Sequence, residues 1–307
     1  MGQVVLVSVK EADDGIRLNR WFLKYYPNLP LARLQKLLRT KQIKVDGKKC
    51  EASTRLSVGQ QLRIPPLDDE IKAFEAKGQS KQDVKFITSL VVYKDDNILV
   101  LNKPAGVAVQ GGTNIKKHID GMLDALRFER DEAPKLVHRI DKDTSGLLVL
   151  ARDRKNAELL TKAFRDKDIK KTYLALVCGV PKSREMIIDK PLLKQGEKMT
   201  VSSGGQKAVS EMRVLDSLGD KAALVELSPK TGRTHQLRVH MQYIGNPIMG
   251  DDKYFIDKRL KINDLADKLY LHAYKIDLSG IYKNLKLTAE LPQYWHEALE
   301  FLGLKLQ

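Results

Sequence analysis

At 307 residues the chain is long enough to bury a full core and to divide into a small and a large domain. Its formal charge of +15 at pH 7 points to a polyanionic partner, nucleic acid first, because lysines and arginines that neutralise phosphates release counterions. Cys50 and Cys178 lie far apart without partners at metal-ligand spacing, and no apolar run nears the roughly 20 residues that cross a bilayer, so a disulfide framework, a zinc site and a membrane span are not expected.

Val4 to Val9 opens the chain as a β-rich run with no cleavable signal pattern, which together with the two lone cysteines fits a reducing cytoplasm. Asp13-Asp14-Gly15 then offers turn and cap chemistry before Ile16, Leu18, Trp21, Phe22 and Tyr25, which recur at helical spacing with Arg17, Arg20 and Lys24 turned away. A second helix follows, with Leu31, Leu34, Leu37 and Leu38 toward a core and Arg33, Lys36 and Arg39 along another side. Ile43-Lys44-Val45 reads as a strand, Asp46-Gly47 as a hairpin turn, and Leu56 through Ile64 as further strand. Residues 14 to 64 resemble the S4 RNA-binding domain through Arg17-Leu18, the Arg33/Lys36/Arg39 helix and Ile43-Lys44-Val45-Asp46-Gly47. They depart from its usual pattern at Asn19, where Asp is common, and at Lys41, where Gly often precedes the strand. The resemblance implies that Arg33, Lys36 and Arg39 contact RNA phosphates.

Pro65-Pro66 and the charged, aromatic-poor residues up to Asp83 have linker composition. The expected division is residues 1–65, an RNA-binding domain, 66–87, a charged linker, and 88–307, the domain that carries the chemistry. Val91 to Asn97 and Ile98 to Lys103 read as two strands joined by a tight turn, the second apolar on both faces and so central. Lys103-Pro104-Ala105-Gly106 and the Val107-Ala108-Val109-Gln110-Gly111-Gly112 continuation contain no Gly-Lys-Ser/Thr phosphate loop, so nucleotide hydrolysis has no support.

The densest cluster of reactive side chains is His138-Arg139-Ile140-Asp141-Lys142-Asp143-Thr144-Ser145-Gly146, set immediately before the buried-looking strand Leu147 to Ala151. Beyond it, Asp153 to Phe164 reads as a helix with Ala157, Leu160, Ala163 and Phe164 on one face, and Lys170 to Val177 as a strand. Ala222 to Ser228 is another strand. It leads into Gly232-Arg233-Thr234-His235-Gln236-Leu237-Arg238-Val239-His240, which turns helical from about Thr234, with Gly245 as C-terminal cap and Pro247 beyond. Arg238 falls at the edge of the buried stripe and therefore needs an anionic partner. His235 and His240 are five apart and do not share a helical face as zinc ligands would. Lys230-Thr231-Gly232 mimics a penicillin-binding motif, but no Ser-x-x-Lys accompanies it.

Together these stretches resemble the RluA-type pseudouridine synthases, in their RluC-like branch. The cluster at 138–146 is similar to that family's H-R-L-D-x-x-T-S-G signature with Ile140 for Leu, Lys171-Thr172-Tyr173-Leu174-Ala175 to its second motif, and 232–240 to its third. Gly250-Asp251-Asp252-Lys253-Tyr254 and Leu271-His272-Ala273 extend the likeness over nearly the whole chain.

The resemblance implies an α+β fold: a small S4-like domain plus a catalytic domain whose mixed, largely antiparallel sheet holds a central cleft. It implies Asp141 as nucleophile, Arg238 as its partner, and Tyr173 against the target base, with Leu271 as the opposing aliphatic wall. Arg139 is implied to fill the place of the flipped uridine, and His138, Thr144, Arg233 and His235 to bind substrate. The implied reaction is conversion of specific uridines to pseudouridine in large-subunit ribosomal RNA by a cytoplasmic enzyme, a monomer by default, with no metal, cofactor or obligate protein partner. The rivals are the same chemistry on other ribosomal or transfer RNA uridines, and a ribosome assembly factor that binds RNA without catalysis. Tyrosine is a poor free base, its ordinary pKa being about 10, so Tyr173 is assigned first to packing and second to proton transfer. The residues leave open whether Asp141 attacks ribose C1′ or acts through a glycal-like intermediate.

Overall fold

The computed structural model describes residues 4–26, 29–67, 80–112, 117–255 and 265–306. The chain divides into two compact units, Met1–Ser80 and Lys81–Gln307.

The first unit holds β1 (Val5–Ser8), α1 (Leu18–Tyr25), α2 (Leu31–Arg39), β2 (Lys44–Val45), β3 (Lys48–Lys49) and β4 (Gln61–Ile64). The strands pair in the order β1-β4-β2-β3. Leu18, Trp21 and Phe22 of α1 and Leu34, Leu37 and Leu38 of α2 meet Ile43, Leu56, Leu62 and Ile64 in one core. Lys36 and Arg39 stay exposed on α2, with Arg33 half-buried beside them. Two expectations shift here. Arg17 is extended, so α1 starts at Leu18 and not at Ile16. The expected Leu56–Ile64 strand is reduced to Gln61–Ile64, because Leu56 donates its N–H to Ile16 and the next residues turn through Gly59 at φ 82°.

The second unit runs α3 (Lys81–Ser89), β5 (Val91–Lys94), β6 (Ile98–Lys103), β7 (Lys135–Leu136), β8 (Ser145–Ala151), α4 (Arg154–Asp166) and β9 (Lys170–Cys178). It continues with β10 (Glu185–Asp189), β11 (Leu192–Gln195), β12 (Lys198–Val201), β13 (Val209–Leu218), β14 (Ala222–Pro229) and α5 (Gln236–Tyr243). The last elements are β15 (Leu271–Asp277), β16 (Lys286–Thr288) and α6 (Gln293–Phe301). Helix α3 occupies residues expected to be linker. Its Ile87 is fully buried with Leu99 and Leu101, which draws 81–87 into this unit, while residues 68–79 of that expected linker lie outside the described residues.

Among the described residues ten strands form one sheet, with the path β10-β13-β14-β9-β15-β8-β6-β5, β16 against β15 and β7 against β8. Its pairs are antiparallel except β8 with β15. The sheet is therefore mixed and largely antiparallel, as the fold reading has it. Alternation explains why β6 and β8 are apolar throughout. Leu99, Leu101, Leu148 and Leu150 face a cluster with Met122, Leu123 and Leu126, whereas Ile98, Val100, Leu147 and Val149 face Leu160 and Ala163 of α4. Each such buried side chain stabilises by roughly 1.5–3 kcal/mol relative to exposure. Asp153 caps α4 by accepting the Asn156 N–H, and Lys167 ends it in the left-handed region.

Two histidines belong to this scaffold. His138 Nε2 accepts the Val149 N–H at 2.8 Å, and its ring stacks on Phe164 at 4.2 Å. His272 is fully buried and shares a 2.8 Å hydrogen bond with Ser145 Oγ. Desolvation holds both below the ordinary imidazole range, His138 at about 3 with Lys171 adding to the effect, and His272 at about 4. The unfolded chain, with pKa near 6.5, therefore binds more protons than the folded one below that pH, and stability falls as pH drops. Melting temperature should decrease from pH 7 to pH 5, and His138→Gln, which keeps an acceptor for Val149, should make the fall shallower.

Gly146 shows why one position tolerates no side chain. Its φ is 109°, and a Cβ there would stand 2.3 Å from the Ala273 carbonyl oxygen on the parallel neighbour β15. Gly146→Ala should destabilise the protein by about 3 kcal/mol through overpacking and left-handed strain, lowering the thermal midpoint by roughly 6–12 °C.

Candidate active site

Three strand ends meet at one end of the sheet. Lys103, last in β6, pairs with Gly146 in β8, and His272 near the start of β15 pairs with Ser145. The loop carrying Asp141 enters between them. On β9, Tyr173 pairs with Ala273 and Ala175 with Leu271, so Tyr173 and Leu271 project from the same face. The loop is closed locally by Thr144 N–H donating to the Asp141 carbonyl at 3.2 Å. It is clipped from below by Lys103, which is fully buried and donates to the carbonyls of Pro104, Val107 and Lys142 at 2.9, 2.8 and 2.9 Å. Burial pushes the Lys103 ammonium down to about 7, while Asp143 and Asp141 pull it back up.

Asp141 is about one-fifth exposed. Arg238 Nη1 lies 3.9 Å and His235 Nε2 4.0 Å from its Oδ2. Arg238 does not spend its main hydrogen bonds there. Its Nε and Nη2 form a bidentate pair with Asp251 at 2.8 and 2.6 Å, and both residues are buried. The expected pair of Arg238 with Asp141 is thus within ion-pair distance, while the hydrogen bonds of Arg238 go to Asp251. A buried guanidinium must be neutralised on the spot, and Asp251 does this, itself held by N–H donors from Lys253 and Tyr254 at 3.0 Å. Burial works against the Arg238 charge, but the hydrogen bonds and field of Asp251, with Asp141 added, hold its pKa above the ordinary guanidinium value. Burial pushes His235 below the usual imidazole range against the pull of Asp141. Burial and the Asp141 charge push the Tyr173 phenol upward, which keeps it protonated.

The remaining expected residues divide. Arg139 is exposed beside Asp141, with no hydrogen bond or ion pair among the described residues. Leu271 is buried, and Thr144 shapes the loop through its backbone. Arg233 is exposed and donates Nε to the Lys207 carbonyl at 3.1 Å. His138 turns to Val149 and Phe164, so that ring face and Nε2 are committed to packing. Arg33, Lys36 and Arg39 belong to the first unit.

Four residues without an assigned role at the sequence level shape the site: Lys103, Gln236, Asp251 and Tyr254. Buried Gln236 accepts from Arg233 N–H and Thr231 Oγ1 and donates to the Val209 carbonyl, which pins the turn before α5. Tyr254 bonds His235 and underlies Arg238, with 5.2 Å from guanidinium carbon to ring centroid. The signal for Asp251 and Tyr254 was the Gly250-to-Tyr254 motif itself, two carboxylates and an aromatic behind a glycine. Among the described residues no group of three or more His, Cys, Asp or Glu is placed to hold a metal ion, and no helix is long and apolar enough to cross a membrane.

Residues 97–243 match the model of the family described as RNA pseudouridylate synthase. The chain is 37% identical to the ribosomal large subunit pseudouridine synthase C of Vibrio parahaemolyticus, covering 89% of this chain and 88% of that one. It is 35% identical to the protein of the same name from Rickettsia typhi, covering 92% and 96%. The human RNA pseudouridylate synthase domain containing 4 structure superposes with a TM-score of 0.64 at 30% identity, over 73% of this chain and 98% of that one.

Proposed function

The chain belongs to the RNA pseudouridylate synthase family, and on that premise we propose that it isomerises specific uridines of large-subunit ribosomal RNA with Asp141 as nucleophile. The observation that carries the reading is a partly exposed carboxylate faced by an already neutralised arginine. Cleavage of N1–C1′, rotation of the base and formation of C5–C1′ leave the oxidation state unchanged. The proton lost from C5 balances the one gained at N1. The protein must supply a nucleophile, a pocket and a route for that proton.

A carboxylate attacks as the anion. Arg238 faces Asp141 at 3.9 Å without clasping it, because Asp251 takes its two best donors. Tyr173 and Leu271 on one sheet face supply aromatic and aliphatic walls for the uracil. A phenol held protonated supports packing as the first task of Tyr173, ahead of proton transfer. The target uridine must leave its stack, at a cost of a few kcal/mol. Exposed Arg139, two residues before the nucleophile, is suited to take its place, and the family likeness assigns substrate binding to Thr144, Arg233, His235 and His138. The first unit, read as S4-like, grips RNA through Arg33, Lys36 and Arg39, and the protein works as a cytoplasmic monomer.

The test is pseudouridine mapping of ribosomal RNA from cells lacking the protein, complemented by wild type or Asp141→Asn. Wild type should restore specific large-subunit signals, and the variant should be slower by roughly a thousandfold or more. An unchanged map would end the large-subunit assignment and turn the search to transfer RNA. Replacing exposed Lys36 and Arg39 with Ala should weaken RNA binding and reduce the log–log salt slope by about 1 per lost phosphate contact, read by filter binding across a salt series.

A further inference from the structure

His235 occupies a backbone conformation that side-chain-bearing residues rarely adopt, with φ 53° and ψ 20° in the left-handed region. Such a conformation persists where surrounding contacts over-determine it. Here the Gln236 N–H donates to the Arg233 carbonyl at 3.1 Å, and the Gln236 side chain accepts the Arg233 N–H at 3.1 Å. The outcome is an imidazole with one nitrogen toward Tyr254 and the other toward Asp141. Nδ1 is 2.7 Å from Tyr254 Oη, the two rings meet edge-on at 76°, and Nε2 is 4.0 Å from Asp141 Oδ2.

The proton positions follow from counting donors. Tyr254 is buried, and its phenolic oxygen accepts the Met199 N–H from β12 at 3.0 Å. Its own proton needs an acceptor, and among the described residues the one in reach is His235 Nδ1. If Nδ1 accepts, a neutral ring carries its hydrogen on Nε2, the nitrogen that faces Asp141. An imidazolium would instead put an N–H against Tyr254 and leave a buried hydroxyl proton without an acceptor. Burial and the neighbouring charges of Arg238 and Lys253 also disfavour the charged ring.

We propose that His235 is a positioning residue that presents a neutral Nε2–H to Asp141, in the tautomer that Tyr254 dictates. The inference rests on Asp141 being the nucleophile. Tyr254 acts on both neighbours of that carboxylate, orienting His235 through its hydroxyl and supporting Arg238 with its ring face. Catalytic hydrogen bonds commonly tighten in the substrate complex, so a 4.0 Å approach is one that uridine binding can shorten. A neutral donor fixes one carboxylate oxygen without quenching the charge that the other needs for attack.

Long-range proton–nitrogen NMR of the full chain labelled with 15N-histidine tests the tautomer without any substrate. His235, assigned by its loss in His235→Gln, should show a protonated Nε2 and a bare Nδ1, and Tyr254→Phe should shift that pattern toward a mixture. A protonated Nδ1 in the wild type overturns the proposal. Rates come from tritium release by in-vitro-transcribed large-subunit ribosomal RNA labelled at uridine C5. His235→Ala should lower kcat by about a hundredfold with KM little changed. His235→Gln, whose amide nitrogen can stand near the place of Nε2, should stay within roughly tenfold of wild type. If Gln is as slow as Ala, or Ala as fast as wild type, the donor role fails. A wild type that releases no tritium defeats the functional reading itself, and the NMR pattern still decides the tautomer.

Discussion

A guanidinium on a side chain left 4% exposed cannot remain without a counter-charge, and the arrangement around Arg238 follows from that demand. Asp251 meets it with two short hydrogen bonds. Asp251 must in turn be anchored, which Lys253 and Tyr254 do with their N–H groups. The turn that brings them there passes through Gly250 at φ 70°, where a Cβ would collide with the Lys268 carbonyl. The consequence for chemistry is that Asp141 is not needed to stabilise Arg238. A carboxylate locked in a bidentate pair would have its lone pairs engaged. At 3.9 Å it feels the positive charge while its oxygens stay available.

The other requirement is that the loop carrying Asp141 be held firmly although it lies beyond the strand ends at one end of the sheet. Lys103 does this from inside by donating to three carbonyls, one of them on the residue after Asp141. Gly146 does it from the strand side by letting β15 approach, which aligns Ser145 with His272. The apolar strand following the loop is therefore part of the site's precision. Seven consecutive buried residues in β8 give the loop an immobile base.

Much of this was legible in the linear chain. The double-sided apolar run of β6, the buried run of β8, the helix expected from Asp153 to Phe164 and the Gly245 helix stop carry local signals that tertiary context did not override. The Leu56–Ile64 stretch misled because buried Leu56 looks like strand in composition, while its backbone turns to pair with Ile16. The expected linker misled in the same way: charge and low aromatic content hid a helix whose single buried Ile87 draws it into the core. His138 carried the composition of a ligand contact, yet its ring serves the packing between α4 and β8.

Residue types and spacing determined the chemistry on offer: a carboxylate, an arginine in need of an anion, a strand tyrosine and a basic helix. Local periodicity also determined most helices and the central strands, since those depend on interactions within a few residues. Only the tertiary structure decided which carboxylate Arg238 takes, because Asp141 and Asp251 are 110 positions apart and equally charged, and nothing in their order ranks them. It also decided that Tyr254 joins His235 and Arg238, and that Lys103 points inward. Such choices depend on distance and burial, which arise when remote segments are packed together, and a charge acquires its partner only at that stage.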